Sequence, residues 1–116
     1  MSPPPPLLGQ AIDALAQTMA QRAGVAVDQS YTAALVQAGP GRCAKKLGEE
    51  GVEAALAGAC GTDQEVIAEA ADVLFHLLAL LLARGISPDA LAQELARRAG
   101  QSGHAEKASR QLKESR

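Results

Sequence analysis

Four acidic side chains in the middle of this 116-residue chain have the spacing of a metal site. Glu50 and Glu53 are three residues apart, as are Glu69 and Asp72, so each pair lies on one face of a helix. Both pairs are also symmetric about Gly61, because positions 50 and 72, like 53 and 69, average to 61. In an antiparallel helical hairpin that turns at Gly61, the four carboxylates would therefore meet in one patch.

Such a patch needs a compensating charge, because carboxylates that are close together and partly desolvated repel one another. A divalent cation supplies that charge, and ligands that are all oxygen favour Mg²⁺, or else Mn²⁺, over zinc. Mg²⁺ also tends to keep bound water and to bind the phosphates of a substrate. The alternative is that the four acids are ordinary solvated residues on exposed helix faces.

The basic residues complement this acidic patch. Setting aside Glu49 and the four acids above leaves 8 acidic and 11 basic residues, so the rest of the chain has a net charge of +3. An acidic patch in a basic surrounding fits a polyphosphate that arrives with Mg²⁺. Lys46 is a candidate for contacting phosphate, whereas for Arg42 and Lys45 a solvated charged face is an equal alternative.

The other reactive residue types do not form an arrangement for covalent catalysis. His76 follows Asp72 by one helical turn, and beside Phe75 we interpret it as a packed residue rather than a catalytic one. Cys43 and Cys60 have neither zinc-finger nor disulfide-framework spacing, so we interpret both as buried free thiols. The chemistry of this chain is therefore expected to depend on its carboxylates.

Helices must position these residues. The apolar spacing predicts helices over about 8–23, 41–60, 63–84 and 88–99, with a short helix or turn at 30–38. Their ends carry ordinary signals, such as the S/T-x-x-E capping box that starts at Thr62 and the Ser-Pro pair at 87–88. Three glycines inside the third helix are expected to mark the close approach of another backbone or a ligand: Gly48, Gly51 and Gly58.

The composition limits both the fold and the function. Ala occurs 25 times and Leu 15 times, while aromatic residues make up 2% of the chain, which favours an all-α fold. We predict one domain at 8–99, a disordered Pro-rich arm at 1–7 and a mobile basic tail at 100–116. Because a short chain rich in Ala and Leu builds a thin core, a second subunit is expected.

Charge and hydropathy exclude several partners. The net charge of −2 argues against nucleic-acid binding. The most apolar run, residues 73–83, is about half the length of a membrane span. The first residues have no basic, apolar targeting pattern, so we expect a cytoplasmic protein that does not bind a membrane.

Several segments of the sequence resemble the phosphoribosyl-ATP pyrophosphohydrolase family, which belongs to the MazG-like all-α nucleotide pyrophosphohydrolases. The matching segments are SYTAAL at 30–35, KLGEEGVE at 46–53, EAADVLFHLL at 69–78 and EKASR at 106–110. The acidic pairs mark the wider superfamily, and the first and last segments point to this family within it. Gly51 departs from the pattern, since a small residue that is commonly Ala is expected there.

The resemblance implies a fold and an activity. The fold would be a MazG-like helical bundle with a central antiparallel hairpin, assembled as a homodimer. The activity would be the Mg²⁺-dependent hydrolysis of phosphoribosyl-ATP to phosphoribosyl-AMP and pyrophosphate, the second step of histidine biosynthesis. Two other functions stay open: hydrolysis of other nucleoside or deoxynucleoside triphosphates by a MazG-like enzyme, and a non-enzymatic helical dimer whose acids are only solvated.

The resemblance also implies roles for individual residues. The metal would be held by Glu50, Glu53, Glu69 and Asp72. Glu49 and Glu50 are the candidate catalytic residues, with Glu49 orienting or deprotonating the attacking water. Contacts to substrate phosphate or ribose would come from Ser30, Thr32 and Lys46, and closure over the bound substrate from Lys107 and Arg110.

Overall fold

The computed structural model describes residues 2–100, 107 and 110–113, and the regular structure in these ranges is entirely α-helical. Its helices are α1 (Leu8–Arg22), α2 (Tyr31–Gln37), α3 (Pro40–Cys60), α4 (Asp63–Ala83) and α5 (Pro88–Ala99). The all-α prediction is confirmed, and the segment at 30–38 forms a helix rather than a turn. In the predicted tail, residues 107 and 110–113 are helical too, and residues 101–106, 108–109 and 114–116 lie outside the described residues. In the predicted arm, residues 2–7 form no regular secondary structure, and residue 1 lies outside the described residues.

Local chemistry fixes both ends of α4. The Thr62 hydroxyl accepts a hydrogen bond from the Glu65 N–H at 3.2 Å, as the capping box requires. The Glu65 carboxylate differs from the pattern, because it accepts from the Thr62 hydroxyl at 3.2 Å. At the other end Gly85 has a φ of +69°, which allows the Ile86 N–H to donate to the Leu81 carbonyl at 2.9 Å. These contacts determine which residues of α4 belong to the helix.

The connection from α2 into α3 is equally tight. Ser30 caps α2 through its hydroxyl, which accepts from the Ala33 N–H at 3.2 Å. Gly39 has a φ of +101°, a conformation that favours glycine, and Pro40 then occupies the first position of α3. After this turn α3 begins, and α2 packs on both α3 and α4.

The chain divides into two compact units, residues 1–86 and 87–116. In the first unit α4 packs against α1, α2 and α3, and its contact with α3 across the short link of Gly61 and Thr62 is the most extensive. The core is small, as expected from the composition, and its buried members are Met19, Leu35, Cys43, Leu78 and Ala79. The acidic residues of α3 and α4 therefore lie on two helices that pack directly on each other.

In the second unit, α5 is capped and charged in the ordinary way. The Ser87 hydroxyl accepts from the Asp89 N–H at 3.1 Å. Glu94 accepts hydrogen bonds from Arg97 and Arg98, and these two guanidinium groups lower the pKa of the Glu94 carboxyl to about 2. The Glu94 carboxylate thereby reduces the repulsion between the two positive charges in the last turn of α5.

The expectation that Cys60 is buried is wrong, and the close approach expected at three glycines of α3 does not come from the described part of the chain. Cys43 is buried as predicted, but Cys60 is exposed, because it is the last residue of α3 and borders the turn. Among the described residues, a Cβ on any of the three glycines inside α3, residues 48, 51 and 58, would meet nothing within 4 Å. Within the described part of the chain these three glycines face open space, and a close approach occurs instead at Gly61, where a Cβ would lie 2.9 Å from the Ala57 carbonyl oxygen.

The exposed apolar surface does not coincide with residues 73–83, the most apolar segment of the sequence. Every residue from 73 to 83 is buried or half-buried within the first unit. By contrast Val52, Leu56 and Ile67, on α3 and α4 nearer their link, are 60–62% exposed. By length and composition α4 is also apolar enough to cross a membrane, a property that core helices of soluble proteins share. Here its second half contributes His76, Leu78 and Ala79 to the interior.

Candidate metal centre and adjacent cavity

The structure brings together three of the four predicted metal ligands. One carboxylate oxygen from each of Glu50, Glu69 and Asp72 lies within 4.8 Å of the other two. Glu50 comes from α3, and the other two come from α4. Glu50 and Glu69 are half-buried, whereas Asp72 is exposed. The cluster, as we call these three carboxylates, is therefore open to a ligand on the Asp72 side.

Glu69 is the member of the cluster that most needs a counter-charge. Its Oε2 is buried and has no hydrogen-bond partner among the described residues. Burial raises the pKa of the Glu69 carboxyl above its usual range, and the carboxylates of Glu53, Asp72 and Glu50 raise it further. An unpaired buried carboxylate oxygen is costly, and a cation beside it would remove that cost. The donor set is all oxygen, so the residues fit Mg²⁺ or Mn²⁺.

Glu53, the fourth predicted ligand, lies at the edge of the cluster. It is exposed, and it is close enough to Glu69 to raise the pKa of that carboxyl. It does not belong to the group of oxygens that all lie within 4.8 Å of one another. Glu53 therefore borders the cluster next to Glu69.

Lys46 links the cluster to the candidate catalytic residues. Its Nζ lies 3.3 Å from Glu49 Oε2 and 3.8 Å from Glu50 Oε1. The hydrogen bond to Glu49 raises the pKa of Lys46, with smaller contributions from the charges of Glu49, Tyr31 and Glu50. The Glu49 side chain is 47% exposed against 13% for Glu50, so Glu49 faces solvent beside the cluster. An ammonium and a carboxylate are thus both available at the edge of the site.

His76 supports the cluster from within the fold. It is 5% exposed, and its Nδ1 lies 2.7 Å from the Asp72 backbone carbonyl. Because a carbonyl can only accept, Nδ1 must donate, and Nε2 of the neutral ring then accepts from the Tyr31 hydroxyl at 3.2 Å. The prediction of a packed histidine is confirmed. Tyr31, which sequence reasoning missed, connects α2 to the turn of α4 that carries Asp72.

Ser30 and Thr32 border a cavity rather than the cluster itself. Ser30 is occupied as the cap of α2, and Thr32 is 6% exposed. The cavity has a volume of about 510 Å³, and its lining also includes Arg22, Gln29, Tyr31 and Phe75. That volume is within the range of small-molecule sites, about 300–1,000 Å³. Lys107 and Arg110, the predicted closing residues, are helical and exposed in the second unit.

Comparison with known proteins gives a consistent result. Residues 12–99 match the family described as phosphoribosyl-ATP pyrophosphohydrolase. The phosphoribosyl-ATP pyrophosphatase of Methylobacterium radiotolerans is 54% identical over 83% of this chain and 90% of its own length. The corresponding proteins of Trichlorobacter lovleyi and Rhodospirillum rubrum are 50% and 46% identical, over 85% and 95% of this chain and 92% of each relative. The matched region contains the cluster, its neighbours and the cavity.

Proposed function

This chain belongs to the phosphoribosyl-ATP pyrophosphohydrolase family and hydrolyses phosphoribosyl-ATP in histidine biosynthesis, and we propose that it does so with Mg²⁺ held by Glu50, Glu53, Glu69 and Asp72. The observation that carries the metal site is the convergence of three carboxylates around a buried oxygen of Glu69 that has no hydrogen-bond partner among the described residues. Mn²⁺ has the same preference for oxygen ligands and is expected to substitute. In the reaction, water adds to a phosphorus of the α–β phosphoanhydride, and the bond to the bridging oxygen breaks. The products are phosphoribosyl-AMP and pyrophosphate.

The residues at and beside the cluster would each have a distinct role in this reaction. When bound, the cation would offset the negative charge of the triphosphate and of the departing pyrophosphate. Glu49, exposed beside the cluster, would orient the attacking water and accept its proton. Lys46 would leave its present partner Glu49 to form a charge-assisted hydrogen bond to phosphate. Glu50 would take part both as a ligand and in positioning that water.

A substrate panel tests this proposal. The purified chain with Mg²⁺ is incubated with phosphoribosyl-ATP, ATP and a set of deoxynucleoside triphosphates, and pyrophosphate release is measured. We expect phosphoribosyl-ATP to have the highest kcat/KM and EDTA to abolish turnover. A higher kcat/KM for a common triphosphate would instead assign a general MazG-like activity. Turnover that survives EDTA would show that the reaction does not require a divalent cation.

The residue roles have their own test. Glu50→Gln and Asp72→Asn each remove a charge from the cluster without changing the shape of the side chain. We expect turnover to fall at least 100-fold in both, with the helical circular-dichroism signal retained. Asp13→Asn, which removes a charge from an exposed position on α1, is the matched control and should turn over normally. Rates within a few fold of the original in both cluster variants would refute the ligand assignment.

A second copy of the chain is proposed to cover the exposed apolar residues of α3 and α4. Val52 and Leu56 are one turn apart on α3 and, with Ile67, are each at least 60% exposed. Burying large aliphatic side chains of this kind contributes about 1.5–3 kcal/mol each. Leu56→Asp is expected to convert a dimer to a monomer in light scattering. If the unaltered chain is a monomer at micromolar concentration, this part of the proposal fails and the hydrolase activity is unaffected.

Two further parts of the proposal concern surroundings rather than chemistry. A net charge of −2 and a soluble biosynthetic role favour a cytoplasmic enzyme without nucleic-acid or membrane partners. Fractionation of cells that express the chain at native levels tests this location, and a pellet-associated protein would contradict it.

Lys107 and Arg110, both exposed, are proposed to close over the phosphates of the bound substrate.

A further inference from the structure

Both aromatic rings of this chain line the same cavity. The sequence contains one Tyr, one Phe and no Trp. Tyr31 and Phe75 stack with their ring centroids 5.8 Å apart and their planes 21° from parallel, and both border the cavity of about 510 Å³. The chain thus places its single Tyr and its single Phe side by side in the lining of one cavity. Stacked rings at the wall of an open cavity are suited to a flat ligand.

Tyr31 is held rigidly and yet remains accessible. Its hydroxyl hydrogen-bonds to His76, and one face of its ring packs on Phe75. The residue is nevertheless 56% exposed, which is unusual for a ring with two such contacts. The free face is therefore available for a third ring at little cost in conformational entropy, since the Tyr31 rotamer is already fixed.

The part of the cavity lining that comes from the segment between α1 and α2 is fixed as well. The Gln37 side-chain amide donates to the Ala23 carbonyl at 3.0 Å and to the Val25 carbonyl at 2.9 Å. These two bonds tie the segment between α1 and α2 to the end of α2. That segment supplies Val25 and Gln29 to the cavity lining. Hydrogen bonds thus hold two parts of the cavity lining in place.

The cavity and the cluster are neighbours on α4. Phe75 and His76 come one turn after Asp72, and His76 bonds both to the Asp72 carbonyl and to Tyr31. A nucleotide whose phosphates reach the cluster would place the rest of the molecule over this turn.

We propose that the cavity binds the purine base of phosphoribosyl-ATP, which stacks on the exposed face of Tyr31. This inference rests on the proposed function, because it assigns one part of the same substrate. Gln29 offers an amide donor and an acceptor to the edge of the base. Among the described residues, Arg22 is the only charged one in the lining, whereas a phosphate subsite normally has several cations or N–H donors. The cavity therefore accommodates the base, and the polyphosphate remains with the cluster and Lys46.

The fluorescence of the chain provides a direct assay, because Tyr31 is its only tyrosine and tryptophan is absent. Titration with AMP should quench the tyrosine emission in a saturable way, since a stacked purine quenches a phenol ring. Ribose 5-phosphate, which has no base, should leave the emission unchanged, and N-acetyltyrosinamide with the same AMP corrects for absorption by the nucleotide. Unquenched emission with AMP, or equal quenching by ribose 5-phosphate, would overturn the proposal.

Variants separate stacking from a structural role of Tyr31. Removing a base-stacking ring costs affinity by a factor of about 5 to 150. Tyr31→Leu should therefore raise the KM for phosphoribosyl-ATP by that factor, with a smaller change in kcat and an unchanged affinity for inorganic tripolyphosphate. Tyr31→Phe keeps the ring and should recover most of the loss. Val27→Ala, an exposed change in the same segment outside the cavity lining, is the control for KM.

Each outcome bears on one proposal. Equal weakening in Tyr31→Phe and Tyr31→Leu would assign the effect to the His76 hydrogen bond and overturn the stacking role, as would an equal loss of tripolyphosphate binding in Tyr31→Leu. If the chain hydrolyses phosphoribosyl-ATP but AMP does not quench Tyr31, the base site alone fails. If AMP quenches Tyr31 but phosphoribosyl-ATP is not hydrolysed, the proposed function fails and the base site stands for another adenine nucleotide.

Discussion

Replacing Asp72 by Asn should change the stability of the chain in opposite directions with and without metal. Asp72 contributes one of three carboxylate oxygens that lie within 4.8 Å of one another, and its charge helps to raise the pKa of Glu69. Without a divalent cation, removing that charge relieves repulsion, so Asp72→Asn should melt at a higher temperature than the unaltered chain. With the cation present, the same change removes a ligand and should lower the melting temperature relative to the unaltered chain.

The size of the effect with metal follows from mass action. At a Mn²⁺ concentration 100 times its Kd, binding stabilises the folded state by about 2.7 kcal/mol. For a domain of about 100 residues this corresponds to an increase in Tm of roughly 10–20 °C. If the loss of one ligand weakens binding tenfold, the same Mn²⁺ concentration stabilises by only about 1.4 kcal/mol. The increase in Tm should therefore fall to about half or less.

Thermal melts followed by circular dichroism measure both effects, first in EDTA and then across a MnCl₂ titration. Asp13→Asn removes the same charge from an exposed position on α1 and should follow the unaltered chain in both conditions. An Asp72→Asn chain that gains as much from Mn²⁺ as the unaltered chain would refute the cluster as the metal site. So would a Mn²⁺ effect that Asp13→Asn reduces equally.

Three other predictions follow from single features of the structure. Because the pKa of Glu69 in the folded chain is raised above 4.5, the ionised carboxylate opposes folding at neutral pH. In EDTA at pH 7, Glu69→Gln should therefore be more stable than the unaltered chain. The urea unfolding midpoints of the two chains should converge as the pH falls towards 4.5. Gly58→Ala should stabilise α3 by up to about 1 kcal/mol, whereas Gly61→Ala should destabilise it because the new Cβ would lie 2.9 Å from a backbone oxygen. Removing residues 101–116 should leave the helical signal of residues 8–99 but raise the KM for phosphoribosyl-ATP, and an unchanged KM would contradict a role for that segment.

The helices were predictable because the signals that define them are local. Thr62 and Gly85 mark the two ends of α4 in the sequence, and in the structure each forms the contacts that its residue type favours. The convergence of Glu50, Glu69 and Asp72 was also accessible, since a turn at Gly61 converts symmetric spacing in the sequence into proximity in space. The acidic spacing thus carries information about tertiary structure that hydrophobic periodicity alone does not.

What the sequence did not predict depends on contacts between distant residues. The Tyr31–His76 hydrogen bond joins positions 45 residues apart, and no periodicity or motif relates them. The exposure of Leu56 and Ile67 was missed for a different reason. An apolar helix face looks the same in sequence whether its own chain or another molecule covers it, so the most apolar segment, 73–83, did not indicate where the uncovered surface lies.

One turn of α4 connects the cluster to the cavity. Phe75 and His76 lie about 4.5 and 6 Å from Asp72 along the helix axis, because each residue advances the helix by about 1.5 Å. Asp72 belongs to the cluster, Phe75 borders the cavity, and His76 bonds to the Asp72 carbonyl and to Tyr31. Loss of the His76 side chain would thus release Tyr31 and one constraint on the Asp72 turn together. His76→Leu should consequently reduce both AMP quenching of Tyr31 and Mn²⁺ stabilisation, whereas Tyr31→Phe should leave Mn²⁺ stabilisation nearly intact.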